Sequence, residues 1–135
     1  MKDRIAASFA RQSMMQTFGA TLDDVTKGQV TLSAPILPSS RQQQGFAHAA
    51  LTFGLGDSAA GYAALTTIPE DQEVVTAEMK INLTAPATGE RLIAKGRVIK
   101  PGRRLIVVSS EVFAVTDGVE TLVAALQGTM VPVGT

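Results

Sequence analysis

Leu51–Leu65 reads LTFGLGDSAAGYAAL, a run of small and apolar residues around a single carboxylate, Asp57. No other Asp or Glu occurs between Ala47 and Leu65. The whole segment Ala47–Leu65 is too long for a strand and apolar on almost every side, so it is expected to be a helix. About 19 residues at 1.5 Å each would span some 28 Å. A helix with no polar face has to be covered all round. Gly54, Gly56, Gly61 and the many alanines lower helix propensity, but they let a sheet or a second helix come close. Pro69 stops the helix.

Asp57 has two readings. It could be the N-cap of a helix beginning at Ser58, with Ala47–Leu55 forming a separate turn or short helix. It could instead be a carboxylate in a largely apolar pocket, where desolvation raises its pKa and strengthens it as a base or nucleophile. Composition alone favours the cap. Both readings require Asp57 to find a donor or to face a cavity, because an unpaired buried charge is costly.

Outward from this segment the chain is short elements. Ala6, Ala10, Met14 and Phe18 recur every fourth residue and predict a short amphipathic N-terminal helix ended by Gly19. Leu22–Ile36 suggests a strand pair bent at Lys27-Gly28, and Pro38–Gly45, PSSRQQQG, a polar loop. Downstream of the long helix, Val75, Ala77, Met79, Ile81 and Leu83 alternate with Thr76, Glu78, Lys80 and Asn82, which predicts a strand with one buried face. Further strands are expected over Arg91–Lys100, Arg104–Val115 and Glu120–Val133. Pro101-Gly102 suits the centre of a type II turn, and Asp117-Gly118 is a strong hairpin signal. The order is helix, strand pair, long buried helix, then a four-strand antiparallel meander. One sheet curls around one central helix, which makes a single α+β domain over residues 1–135.

Bulk properties narrow the chemistry. The chain has 135 residues, 12 Lys plus Arg against 12 Asp plus Glu, one histidine (His48) and no cysteine. Zero net charge argues against nucleic acid or an anionic membrane as main partner. The absence of cysteine excludes disulfides, a thiolate nucleophile and Cys-ligated zinc. A lone histidine excludes a multi-His metal site within one subunit. Residues 1–20 carry Lys2, Asp3, Arg4 and Arg11, so they lack a signal peptide's unbroken apolar core, and no run approaches the roughly 20 apolar residues of a membrane span. A soluble, cytoplasmic protein is the expectation.

The stretch Gly45–Leu65, GFAHAALTFGLGDSAAGYAAL, resembles the signature of hotdog-fold acyl-CoA thioesterases of the phenylacetyl-CoA thioesterase (PaaI-like) group. That signature has His-Gly-Gly, a short apolar run and Leu-x-Asp-Ser/Asn, with nine residues from His to Asp, as from His48 to Asp57 here. The resemblance continues through Val74–Arg104, VVTAEMKINLTAPATGERLIAKGRVIKPGRR, and covers roughly residues 40 to 130. It implies a hotdog fold: a curled antiparallel sheet wrapped around a long central helix, with a short N-terminal helix.

The resemblance also implies roles. Asp57 would be the catalytic carboxylate, attacking the thioester carbonyl or activating water. The Ala49 N–H, just after His48, would polarise the thioester oxygen at a helix N-terminus. Ala49 and Ala50 stand where the family has glycines, which keeps the N–H but narrows the approach. Gln42 or Gln43 would replace an upstream Asn that positions water or substrate, and Thr76 would hold the attacking water beside Asp57. His48 is better explained by a structural hydrogen bond than by chemistry. Lys100, Arg103 and Arg104, at a hairpin tip, would grip the phosphates of CoA. No cofactor beyond the CoA of the substrate is implied, and no metal. A curled sheet leaves an edge to be covered, and the resemblance implies a homodimer, commonly a dimer of dimers, with the site at its seam. Two alternatives keep the fold: a non-catalytic acyl-CoA binding protein, and a hydratase or dehydratase.

Overall fold

The long apolar segment forms a single helix, α3 (Ala49–Leu65), in a computed structural model that describes residues 1–134. Its N-cap is His48, whose Nδ1 accepts the Ala50 N–H at 2.9 Å. Asp57 therefore lies inside the helix, half-buried, and the N-cap reading of Asp57 is overturned. A first turn satisfied by His48 lets the helix run unbroken through Gly54 and Gly56.

Six strands among the described residues form one antiparallel sheet in the order β1-β2-β4-β5-β6-β3. They are β1 (Thr21–Thr26), β2 (Gln29–Pro35), β3 (Gln72–Leu83), β4 (Arg91–Lys100), β5 (Ile106–Thr116) and β6 (Val119–Gly134). The sheet packs against α3, giving the curled sheet and central helix of the hotdog fold. The core joins Leu51, Leu55 and Ala59 of the helix to Leu32, Leu92, Val112 and Leu126 of the sheet. Close approach depends on small residues. Ala59, Ala60, Ala63 and Ala64 are all fully buried, and a Cβ on Gly96 of β4 would fall on the backbone of Ala59.

The strand order corrects the expected four-strand meander. Strands β4, β5 and β6 do follow one another, but β3 crosses to the far side and pairs with β6, while β4 pairs with β2. The β2–β4 pairing closes the sheet over α3 and leaves β3 as an edge. The β4–β5 connection also differs from expectation. Gly102 does not adopt the positive φ that a type II turn needs. The loop is wider, and the Leu105 carbonyl approaches Gly102 where a side chain would stand. At the β5–β6 hairpin Asp117 and Gly118 do have positive φ, 50° and 77°, as a type I′ turn requires.

The N-terminal segment is two helices, α1 (Lys2–Arg11) and α2 (Ser13–Phe18), separated at Gln12, whose backbone is extended. Gly19 ends α2 in the left-handed conformation (φ 70°). The buried stripe is Ile5 and Met15, with Ser8, Phe9, Gln12 and Phe18 half-buried, and Ala6, Ala10 and Met14 face outward. Ile5, Phe9 and Met15 bury more apolar area than alanines do, so they fix the face. Arg4 ties α1 down: its guanidinium donates to the carbonyls of Leu65 (3.5 Å), Ile68 (3.1 Å) and Gln72, and pairs with Glu73.

Two glycines should respond oppositely to the same change. Gly96→Ala forces a methyl onto the α3 backbone and should cost about 1–3 kcal/mol, lowering Tm by roughly 3–10 °C. Gly61→Ala meets nothing nearer than Met130 Cε at 3.7 Å and should gain up to about 1 kcal/mol of helix propensity. Thermal unfolding of both variants checks the helix–sheet contact.

Candidate active site

Asp57 occupies the middle of α3, where the helix passes the edge strand β3. A bulge in β3 decides what meets it. Pairing with β6 runs Thr76↔Met130, then Glu78↔Thr129, leaving Ala77 without a partner. The extra residue reverses the alternation, as bulges do when they re-aim a side chain. Met79 and Ile81 stay half-buried beyond it, whereas before it Val74 is half-buried, Thr76, though exposed, turns its hydroxyl to α3, and Val75 is 51% exposed. The expected grouping of Thr76 with Glu78, Lys80 and Asn82, and of Val75 with the buried face, is thereby corrected.

Thr76 Oγ1 donates to Asp57 Oδ1 at 2.8 Å. Oδ2 has no hydrogen-bond partner among the described residues, and no cation pairs with the carboxylate there. Burial pushes the Asp57 carboxyl above its ordinary 3.8, against a smaller downward pull from the Thr76 hydrogen bond. The group lines a cleft of about 200 Å³ together with Gly61, Tyr62, Leu65, Val74 and Met130.

The far wall of this cleft joins Tyr62 and Ser58 of α3 to Ser8 and Gln12, which the sequence did not single out. Tyr62 Oη accepts hydrogen bonds from Ser8 Oγ (3.2 Å) and Gln12 Nε2 (3.0 Å), and Ser58 Oγ donates to Gln12 Oε1 (3.3 Å). Ser58 thus belongs to the cleft, and so do Ser8, Gln12 and Glu73. The available signal was Gln12 itself, a polar residue in the apolar stripe Ile5–Phe9–Met15.

The other candidate residues lie elsewhere in the chain. Ala49 and Gln42 line a second cleft of about 440 Å³ with Phe46 and Thr52. The Gln42 amide is engaged in its own loop: Oε1 accepts the N–H groups of Gln44 (2.6 Å) and Phe46 (3.1 Å), and Nε2 donates to Gln44 Oε1 (3.0 Å). Gln43 is exposed. His48 lines a third cleft with Phe18, Arg41 and Leu51, and its Nδ1 is the helix cap, accepting the Ala50 N–H. Ala49 precedes Asp57 by eight residues, about 12 Å along the helix axis, so one thioester cannot reach both within one chain. Lys100, Arg103 and Arg104 are exposed at the β4–β5 tip. Ile106 stands opposite Met130, and Met130 opposite Thr76, so this tip lies at the Asp57 end of the sheet, about two strand spacings or 10 Å across from Thr76. No cluster of His, Asp and Glu suited to a metal occurs among the described residues, and no helix there is long and apolar enough to cross a membrane.

The raised carboxyl has a stability consequence with a definite sign. The folded state holds the Asp57 proton more tightly than the unfolded chain does. Stability therefore falls as pH rises from 3.8 through the raised value, and the loss is complete once the pH lies above that value. Asp57→Asn keeps an acceptor for Thr76 and lacks the charge. Its Tm should exceed the wild type's by a few degrees at pH 7, and the gap should close below pH 3.8, as read by thermal unfolding across pH.

Comparison with known proteins agrees with this architecture. Residues 44–121, more than half of the chain, match the family model described as Thioesterase superfamily. A thioesterase family protein from Silicibacter pomeroyi is 38% identical, with 99% of this chain and 98% of that one covered and a TM-score of 0.97. A Bacillus halodurans protein solved with CoA is 25% identical, over 97% and 84% of the two chains, with a TM-score of 0.80. The E. coli PaaI protein of the phenylacetic acid degradation operon shares the fold, with a TM-score of 0.86 over 98% and 94% of the chains at 18% identity. With its central helix, curled sheet and matched segment, this chain belongs to the thioesterase superfamily.

Proposed function

We propose that the protein hydrolyses an acyl-CoA to the free acid and CoA, with Asp57 as the reacting carboxylate. The observation that carries this reading is a half-buried carboxylate in an apolar helix, held by one hydroxyl, with its second oxygen unpaired beside a cleft. The likeness to a thioesterase family protein along nearly the whole chain supports the reaction class. The CoA found with a relative supports the carrier.

Two routes use such a carboxylate. Oδ2 takes a proton from water as its oxygen bonds to the thioester carbonyl carbon, the C–S bond breaks, and the thiolate leaves to be protonated. Alternatively the carboxylate attacks the carbonyl itself, CoA leaves, and water cleaves the resulting anhydride. In both, a developing oxyanion needs a donor, and the helix-terminal Ala49 N–H is suited to it. One chain holds Asp57 and Ala49 in separate clefts, so we assign the reaction to a seam between two copies. Asp57 and Thr76 of one would face Ala49 and the Gln42–Gln43 loop of the other. The edge strand β3, with Val75 and Leu83 51% and 57% exposed, favours such pairing. Lys100, Arg103 and Arg104, at the Asp57 end of the sheet, suit the phosphates of CoA.

A binding protein without turnover is the second reading, favoured by the methyls of Ala49 and Ala50 at the helix mouth. A thiol-release assay over a panel of acyl-CoAs separates the two. Wild-type release with a drop of about 10²–10⁴ in kcat for folded Asp57→Ala is the expected result. CoA-ester binding without release from any substrate would establish the binder. The acid limb of the wild-type kcat/KM profile should lie above pH 3.8, because ionised Asp57 is the active form. Thr76→Val removes the hydrogen bond that lowers the pKa, so it should move that limb to still higher pH.

A further inference from the structure

We propose, resting on the thioesterase reading, that Tyr62, Gln12 and Ser8 make the Asp57 cleft select short acyl groups bearing a neutral oxygen substituent, a hydroxyl or keto group, over plain alkyl groups. The wall that these residues form stands largely outside the matched family segment, since Ser8 and Gln12 belong to the N-terminal helices and the match begins at residue 44.

The chemistry of the wall sets the preference. A phenol hydroxyl offers one donor and two acceptor positions. Ser8 and Gln12 fill the acceptor positions of Tyr62, and no acceptor for its own proton occurs among the described residues. Tyr62 is 7% exposed, and its ring is steadied by Phe9 at a centroid distance of 6.2 Å. The O–H is thus a fixed donor in the cleft. An alkyl chain seated there strips water from it and returns nothing, whereas a hydroxyl or carbonyl oxygen replaces the lost hydrogen bond.

Size and charge narrow the class. At about 200 Å³ in one chain the cleft is small beside the roughly 300–1,000 Å³ common for small-molecule sites, which favours a four-carbon acyl group with one substituent over a long fatty chain. Asp57 and Glu73 both line the cleft, and the nearby Arg4 is already engaged by Glu73 and three carbonyls. A second carboxylate on the acyl group would meet like charge without a free cation.

The test is kcat/KM for thiol release by the full chain from 3-hydroxybutyryl-, 4-hydroxybutyryl-, butyryl-, succinyl- and octanoyl-CoA. The better hydroxybutyryl ester should exceed butyryl by about tenfold, with succinyl and octanoyl below both. Tyr62→Phe should bring the hydroxybutyryl-to-butyryl ratio close to one, and Gln12→Met, which removes the donor that orients the phenol, should lower it as well. Circular dichroism verifies folding of each variant, and the Gln12→Met ratio decides if Tyr62→Phe does not fold. Butyryl turnover equal to or above hydroxybutyryl turnover in the wild type, or a ratio that neither variant changes, overturns the selectivity inference and leaves the thioesterase reading standing. Release from none of the five, nor from a wider acyl-CoA panel, overturns the thioesterase reading and this inference with it.

Discussion

A carboxylate in the middle of an apolar helix has few stable arrangements, and the rest of this structure follows from the one adopted. Asp57 is placed where α3 meets the sheet's edge and not its centre, so one side of the residue opens to a cleft. A single hydroxyl, from Thr76, satisfies one of its oxygens. Further along the same helix, the Gly96–Ala59 contact presses α3 against β4 so closely that only a glycine fits. The helix is thus sealed where it needs only packing and open where it carries a charge.

Edge position and chemistry are linked through β3. An edge strand tolerates a bulge more readily than a central one, and bulges gather at edges and beside active sites. The unpaired Ala77 turns Thr76 toward α3 and Val75 outward. The same irregularity thereby supplies a hydrogen bond to Asp57 and an apolar side chain to the outer face of the strand, where a second copy would pack. The N-terminal helices close the other side of the cleft, held there by Arg4.

Much of the fold was legible because its signals are local. The unbroken apolar run of α3, the separate runs that become β4, β5 and β6 and the Asp117-Gly118 turn are each written in neighbouring residues. Asp57 stood out for the same reason, as the one acid in an apolar segment. What was misread depends on contacts between distant segments. No sequence pattern marks Ala77 as a bulge, so the face of Thr76 came out reversed. The crossing of β3 to β6 follows from sheet closure, which adjacency in sequence does not encode. The N-terminal stripe was set one residue off because alanine spacing looked periodic while Ile5, Phe9 and Met15 had more area to bury. Gln12 and Ser8 were missed because their role exists only once Tyr62, some fifty residues later, is folded beneath them.

The most direct measurement is the titration of Asp57 itself, followed by the 13C chemical shift of its side-chain carboxyl in the folded protein. A midpoint above 3.8 in the wild type is the expected result, since the account requires a desolvated carboxylate without a cation. A midpoint at or below 3.8 would mean that Asp57 is fully solvated or fully paired, and would contradict it.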